Sequence, residues 1–401
     1  PIRSLGRDDV VHPGDAHVGS TPFRTTPRSA QALLIVGQVA LTMVLLLGAV
    51  LLIRSFANLS SVDPGYDPRS VVTFQMPETR LPWTPENYRA NLAAQRQEIQ
   101  HVERVVTRLQ SVPGIHVAAF TGALPMVQMP FMLSLKPTAD APDTPIPGGK
   151  ILLVSRDYFK VMRIPVIRGR GFTDGDRSRQ RGTFVINRTL AKAYFGDEDP
   201  IEQTVFLWGR LSGEIVGIVD DVRQISLGTP PEPQLFMTVF ETREFLPVDP
   251  GGLYIAFRTD VDAIAMVPEI RRIVRETDSE VPLHNVATME QLVADSVSTP
   301  RSYAVVLGLF ALVALALASL GLYGVLTYFV GQRTQEIGVR MALGARRREV
   351  LLLVVRQGLV MTSTGMLLGV VGGVALKRYL EKMLFGLTPL DLTTFAATPM
   401  L

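Results

Sequence analysis

The sequence predicts an α/β extracytoplasmic domain carried on an all-α membrane part with three visible spans. Apolar residues make up 47% of the 401 residues, and the mean hydropathy lies above zero, a combination soluble domains rarely show. The apolar residues gather into three long runs near the chain ends. The long stretch between the first two runs alternates strand and helix patterns.

The polar residues 1–30 come first and read as leader or linker. The opening residue is proline rather than methionine, which fits a fragment or a processed chain. The first run, "ALLIVGQVALTMVLLLGAVLLI" from Ala32 to Ile53, has no charged residue. It matches the roughly 20 residues a helix needs to cross a bilayer core. It is too long for a signal-peptide core and lacks a small-residue cut site. A span is expected over 31–54. The second run, Tyr303 to Val330, predicts a span over 301–331. The third, Val350 to Leu376, predicts one over 350–377, with its one charge, Arg356, near the start.

Basic residues in short flanks orient such spans. Arg24 and Arg28 precede the first. Arg333, Arg340, Arg346, Arg347 and Arg348 fill the segment between the second and third. Both flanks are expected in the cytoplasm, which places 56–300 outside. Lys377, Arg378 and Lys382 fall on the outer side and are outvoted.

Two parts of the outer segment read alike. "SVVTFQMP" is a strand, Glu86–Gln110 a helix with Ile99, Val102, Val105, Val106 and Leu109 at helical spacing, and "VPGIHVAAF" a turn and strand. Later "GLYIAFRT" is a strand, Val261–Thr277 a helix, and "VPLHNVATM" a turn and strand. The expectation is a split β–α–β lobe over 56–124 and 247–300, with a β-rich lobe inserted at 125–246.

Several chemistries are excluded. The chain has no cysteine, so disulfides, thiolate metal sites and cysteine nucleophiles are ruled out. The 40 basic and 37 acidic residues leave a net charge of +3, no footprint for nucleic acid. There is no G-x-x-x-x-G-K-[ST] loop, so the chain does not cradle ATP phosphates by itself. G-x-S-x-G and H-E-x-x-H are missing too, and no catalytic, cofactor or metal site is expected. "GRGFTDGD" reads as a turn rather than a phosphate loop, and "TDGD" lacks the later ligands of a calcium loop. His12, His17, His101, His116 and His284 show no ligand spacing. No acid or histidine sits in mid-span, which argues against an ion-coupled carrier.

Two elements of the membrane part carry possible function. Gly365, Gly369 and Gly373 form a small-xxx-small stripe, with Gly372 beside it. Such a stripe either admits another helix backbone closely or reflects the general tolerance of membrane helices for glycine. The segment 332–349 is polar, basic and joined to two spans without slack. A short helix is expected over Gln335–Leu343, with Ile337, Met341 and Ala342 apolar, Glu336 and Arg340 paired four apart, and Gly344 at the C-terminus. It suits docking on a partner, or lying on anionic lipid.

"QEIGVRMALGARRREVLLLVVRQGL" resembles the signature of FtsX/MacB-type ABC permeases, in which E-I-G-x-x-x-A-x-G-A follows the second span. "SRDYFKVMRIPVIRGRGFTDGD", "INRTLAKAYFGDEDPI" and "VGIVDDVRQISLGTPPEPQLF" are similar to the outer domain of that family. The resemblance implies that the split lobe is porter-like. It implies a permease subunit of an ATP-driven export or mechanotransmission complex, transmitting motion from a partner ATPase to the outer lobes. The coupling residues would be Glu336, Ile337, Gly338, Arg340, Ala342, Gly344 and Ala345. The implied partners are a nucleotide-binding subunit that holds ATP and magnesium, a second permease unit in tandem or as a dimer, the lipid bilayer of the bacterial inner membrane, and envelope proteins. The alternative within the family is a regulator whose outer lobes activate an envelope enzyme without transport. "LLIRSFANLSSVDPGYDP" and "LFGLTPLDLTTF" resemble members with two such units in tandem. On that reading the leader is linker from an upstream unit, and 378–401 is an outer loop and the start of a truncated fourth span.

Overall fold

The structure is a computed structural model, describing residues 27–76, 88–127, 131–138, 140–142, 144–176, 182–207, 211–238, 252–277, 283–343 and 347–380. The leader and the fourth-span expectation lie outside the described residues. The chain forms two compact units, a mainly helical one built from the termini and an outer one over Leu51–Val306.

The first described element, α1 (Pro27–Ser60), starts in the helical unit and ends in the outer one. The outer unit follows with β1 (Val71–Met76), α2 (Tyr88–Leu109), β2 (Ile115–Thr121), β3 (Phe131–Lys136), β4 (Thr144–Leu153), α3 (Tyr158–Met162) and β5 (Val166–Gly169). Next come β6 (Gly182–Asn187), α4 (Arg188–Leu190), β7 (Thr204–Leu207), β8 (Leu211–Val219), β9 (Gln234–Met237), β10 (Leu253–Thr259), α5 (Ala263–Thr277), β11 (His284–Thr288) and α6 (Met289–Ser296). The last described elements are α7 (Ser298–Gln332), α8 (Thr334–Ala342) and α9 (Arg347–Leu380). Helices α1, α7 and α9 are long and apolar enough to cross a membrane.

One sheet of the outer unit has strand order β11-β1-β10-β2. Antiparallel pairing of β10 with both β1 and β2 makes β1 and β2 parallel, so β1-α2-β2 and β10-α5-β11 are two crossover units split by everything between them. The helices cover one face through Ile99, Val102, Val105, Leu109, Ile270 and Ile273, all buried. Helical spacing of these residues places them on one side of α2 and α5. The opposite face, Val71, Ala119, Tyr254 and Ala256, packs on Tyr158, Phe159 and Phe236. Every residue of β10 is therefore buried, and the sheet is covered on both sides.

The second sheet runs β5-β8-β6-β9-β4-β3-β7, and β7 also pairs with β8. Six strands thus close into a ring, with β5 left as an edge strand on β8. Closure works because β8 is long. Leu211–Glu214 pair with β7 and Gly217–Val219 with β5. Gly213 makes room at the turn of the ring, since a Cβ there would stand 2.5 Å from the Phe184 ring. The interior is filled by Leu135, Phe184, Leu207, Ile215 and Leu235, each fully buried, as small rings of strands require.

The "TDGD" turn is a structural staple. Asp176 is fully buried. It accepts two bonds at 2.7 Å from the Arg170 guanidinium, one from the Thr173 amide at 2.7 Å and one from its hydroxyl at 2.8 Å. Burial alone would raise this carboxyl; the Arg170 and Thr173 bonds overcome it and hold it at about 2. Among the described residues no group of three or more His, Asp or Glu could hold a metal ion. His116 pairs with Asp260 across 2.5 Å, and His12 and His17 lie outside the described residues.

Candidate functional site

Helix α8 follows α7 after a single residue, Arg333. Its first residue is tied back to α7 by the Thr334 hydroxyl, which donates to the Gly331 carbonyl at 2.7 Å, and its first turn closes on the linker through the Ile337 amide, which donates to the Arg333 carbonyl at 2.8 Å. So short a joint leaves α8 little freedom relative to α7.

Glu336 accepts from Arg340 at 2.7 Å and lies 3.9 Å from Arg333. All three side chains are roughly half exposed, so this triad adds only about 0.3–0.5 kcal/mol to the helix. Its larger effect is to occupy the charges of one side. Ile337 is the one half-buried residue of α8. It lines a cavity of about 190 Å³ between α8 and the adjoining ends of α7 and α9, together with Phe329, Val350 and Val354. Glu336, Arg340 and Glu349 rim the same cavity.

The sequence reading set Ile337 and Met341 on one docking face. The structure divides them. Ile337 turns toward the neighbouring helices, while Val339, Met341 and Leu343 are exposed, Leu343 at 82%. Val339 and Leu343, four apart and outside the sequence-read set, form the outward apolar stripe; that spacing was the signal for them. Ala342 is exposed too. A Cβ added at Gly338 meets no atom within 4 Å, so nothing among the described residues requires glycine there. Gly344 and Ala345 lie outside the described residues.

The glycine stripe of α9 faces α1. A Cβ on Gly365 would stand 2.7 Å from the Val39 Cβ, one on Gly369 2.5 Å from the Met43 Cβ, and one on Gly373 3.0 Å from Leu47. The backbones approach too closely for any side chain at the first two positions. α1 also meets α7: the Thr42 hydroxyl reaches the Ala314 carbonyl at 3.3 Å, and a Cβ on Gly321 would meet Gln38 at 2.7 Å. One helix thus packs on both others. In contrast α7 exposes Leu309, Phe310, Leu312, Val313 and Leu320, the face expected to meet lipid or another helix.

Residues 32–273 match the family profile of the MacB-like periplasmic core domain, and residues 308–399 that of the FtsX-like permease C-terminal region. The chain is 24% identical over 238 residues to the macrolide export ATP-binding/permease protein MacB of Wolinella succinogenes, covering 57% of this chain and 36% of that protein. It is 25% identical over 239 residues to the uncharacterized ABC transporter permease YvrN of Bacillus subtilis, covering 57% of each. The matches thus span about a third to just over half the length of these relatives. The periplasmic region of MacB from Actinobacillus actinomycetemcomitans aligns with 59% of this chain and 95% of that one, at 13% identity and a TM-score of 0.39.

Proposed function

The chain belongs to the MacB-like periplasmic core domain family, with an FtsX-like permease region at its C-terminal end, and from that premise we propose that it is the permease subunit of an ATP-driven export or mechanotransmission complex. A separate nucleotide-binding subunit hydrolyses ATP in the cytoplasm and docks on α8. α8 passes the movement to α7 and α9, and the packed helices carry it to the outer lobes. A second permease unit, in tandem or as a dimer, completes the pair.

The observation that carries this reading is α8 itself. It is short, joined to α7 by one residue, and exposes Val339 and Leu343 while its charges pair with one another. An element made to rest on lipid would turn its arginines outward without acid partners. The names of the MacB relatives, in which ATP-binding and permease functions stand together, support the same partner. The chain's own motif inventory leaves ATP hydrolysis to that partner.

The test is purification of the tagged full-length protein from native membranes, followed by assay of ATP hydrolysis in the eluate. A stoichiometric nucleotide-binding subunit with vanadate-sensitive hydrolysis is expected. Recovery of the permease with an envelope enzyme and no nucleotide-binding subunit would replace this reading with the regulatory one.

A further inference from the structure

Both membrane-rooted helices enter the outer unit through its four-stranded sheet: α1 runs into β1, and β11 runs through α6 into α7. The six-stranded ring stands apart in the chain, inserted between β2 and β10. The loop from Asp220 to Thr229, between β8 and β9, nevertheless touches α1, the linker after it, and Val297, the residue that leads into α7.

On the ring side this loop is anchored firmly. Asp221 accepts from the Thr189 amide and hydroxyl, each at 2.9 Å. The Asp220 amide donates to the Pro165 carbonyl at 2.9 Å. On the other side it grips the linker. The Arg223 amide donates to the Pro64 carbonyl at 3.0 Å. Gly65, at φ +83°, passes so close that a Cβ would stand 2.0 Å from the Asp221 carbonyl oxygen. At its tip, Leu227 is 2% exposed and packs with Leu59 of α1 and with Val297 between α6 and α7. Arg223 holds that tip in shape by donating to the Leu227 and Thr229 carbonyls at 3.0 and 2.7 Å.

We propose that the 220–229 loop is the joint through which α1 and α7 act directly on the ring, with Leu227, Gly65 and Arg223 as its positioning residues. One buried leucine packed on both the outer end of α1 and the residue that leads into α7 senses their separation. The backbone contact at Gly65 and Asp221 has no side chain to yield, so displacement of the linker displaces the loop. The anchors at Asp220 and Asp221 then pass it to β8, α4 and the rest of the ring. The inference rests on the transmission reading for the source of motion, but the joint is testable without any ATPase.

The absence of cysteine makes the test clean. Spin labels are placed at Ser60, on the exposed side of α1, and at Lys192, in the helical turn that follows α4, in the full-length protein in lipid nanodiscs. A second pair, Thr138 after β3 and Lys192, lies within the inserted lobe that carries the ring. A narrow distance distribution is expected for Ser60–Lys192 in the parent protein. Leu227→Asp and Gly65→Val should broaden it to include distances absent from the parent, with Thr138–Lys192 unchanged. Arg223→Met, which removes only the tip-shaping bonds, should broaden it less, and it keeps the test decisive if the harsher variants misfold. Unchanged Ser60–Lys192 distributions in the folded variants would overturn the proposal. So would equal broadening of both pairs, which would mean general loosening of the ring. Loss of ATPase coupling with an intact joint would count against the transmission reading alone.

Discussion

Gly369 lies against Met43 across α9 and α1, with no room for a side chain: a Cβ at Gly369 would stand 2.5 Å from the Met43 Cβ and 2.8 Å from the Ala40 carbonyl oxygen. Neither neighbour is the free end of a flexible chain, so any side chain at 369 forces the helices apart. Gly369→Leu should destabilise the helical unit by about 1–3 kcal/mol, the usual cost of overpacking. Gly308→Ala, where an added Cβ meets nothing within 4 Å, should leave stability unchanged. Thermal denaturation of the detergent-solubilised protein compares the two, and equal melting temperatures would remove the stripe from the packing.

The staple at Asp176 predicts a pH dependence. Its carboxyl sits at about 2 in the folded protein, against an ordinary value near 4 for an unfolded aspartate. The unfolded chain therefore takes up the proton first as pH falls. The stabilisation, about 2 kcal/mol, is fully present above roughly pH 4 and is lost as pH falls toward about 2. Asp176→Asn should lower stability at neutral pH, and the difference from the parent should shrink across that window. Urea denaturation at a series of pH values reads it directly, and a difference constant with pH would contradict the assignment.

The orientation follows from the basic flanks and is open to a labelling test. Cysteines at Lys192 and Glu198, both exposed on the ring, should react with an impermeant thiol reagent applied to intact cells or spheroplasts. A cysteine at Val339, 60% exposed on α8, should react only after the membrane is opened. Labelling of Val339→Cys in sealed cells would reverse the topology.

Much of this architecture could be read from the chain because the signals are one-dimensional. Charge-free runs announce helices that meet lipid. Residues such as Ile99, Val102 and Leu109 recur at the helical period because one face of α2 is buried. The glycine spacing of α9 pointed to close approach but could not name α1 as the partner. Ring closure was hidden: β8 is buried on both faces over its second half, so no alternation marks its faces, and pairing with β5, β6 and β7 is a property of the fold. The direction of Ile337 was equally hidden. In a helix of nine residues, the apolar period cannot separate a residue turned to its own neighbours from one turned outward. α6 is short and polar, and its capping box at Thr288 and Gln291 was the overlooked sign. The 220–229 joint rests on contacts distant in sequence, which no local pattern records.

The central claim is that α8 receives a partner's movement, and Gly338 offers its most direct test. Among the described residues a Cβ added at 338 meets no atom within 4 Å, and Gly338→Leu is expected to insert and fold as the parent does. Its effect would fall on whatever docks from outside. Ile337→Asp sets a charge into the apolar wall of the cavity beside Phe329 and Val350, and Arg347→Ala removes one basic residue, about 1 kcal/mol of attraction to an anionic surface. In proteoliposomes with the nucleotide-binding subunit, ATP hydrolysis is measured with and without each variant. The account predicts that Gly338→Leu abolishes the permease-dependent stimulation, Ile337→Asp does the same, and Arg347→Ala retains most of it. Parental stimulation by Gly338→Leu and Ile337→Asp, with loss confined to Arg347→Ala, would contradict it and leave α8 as a helix that rests on lipid.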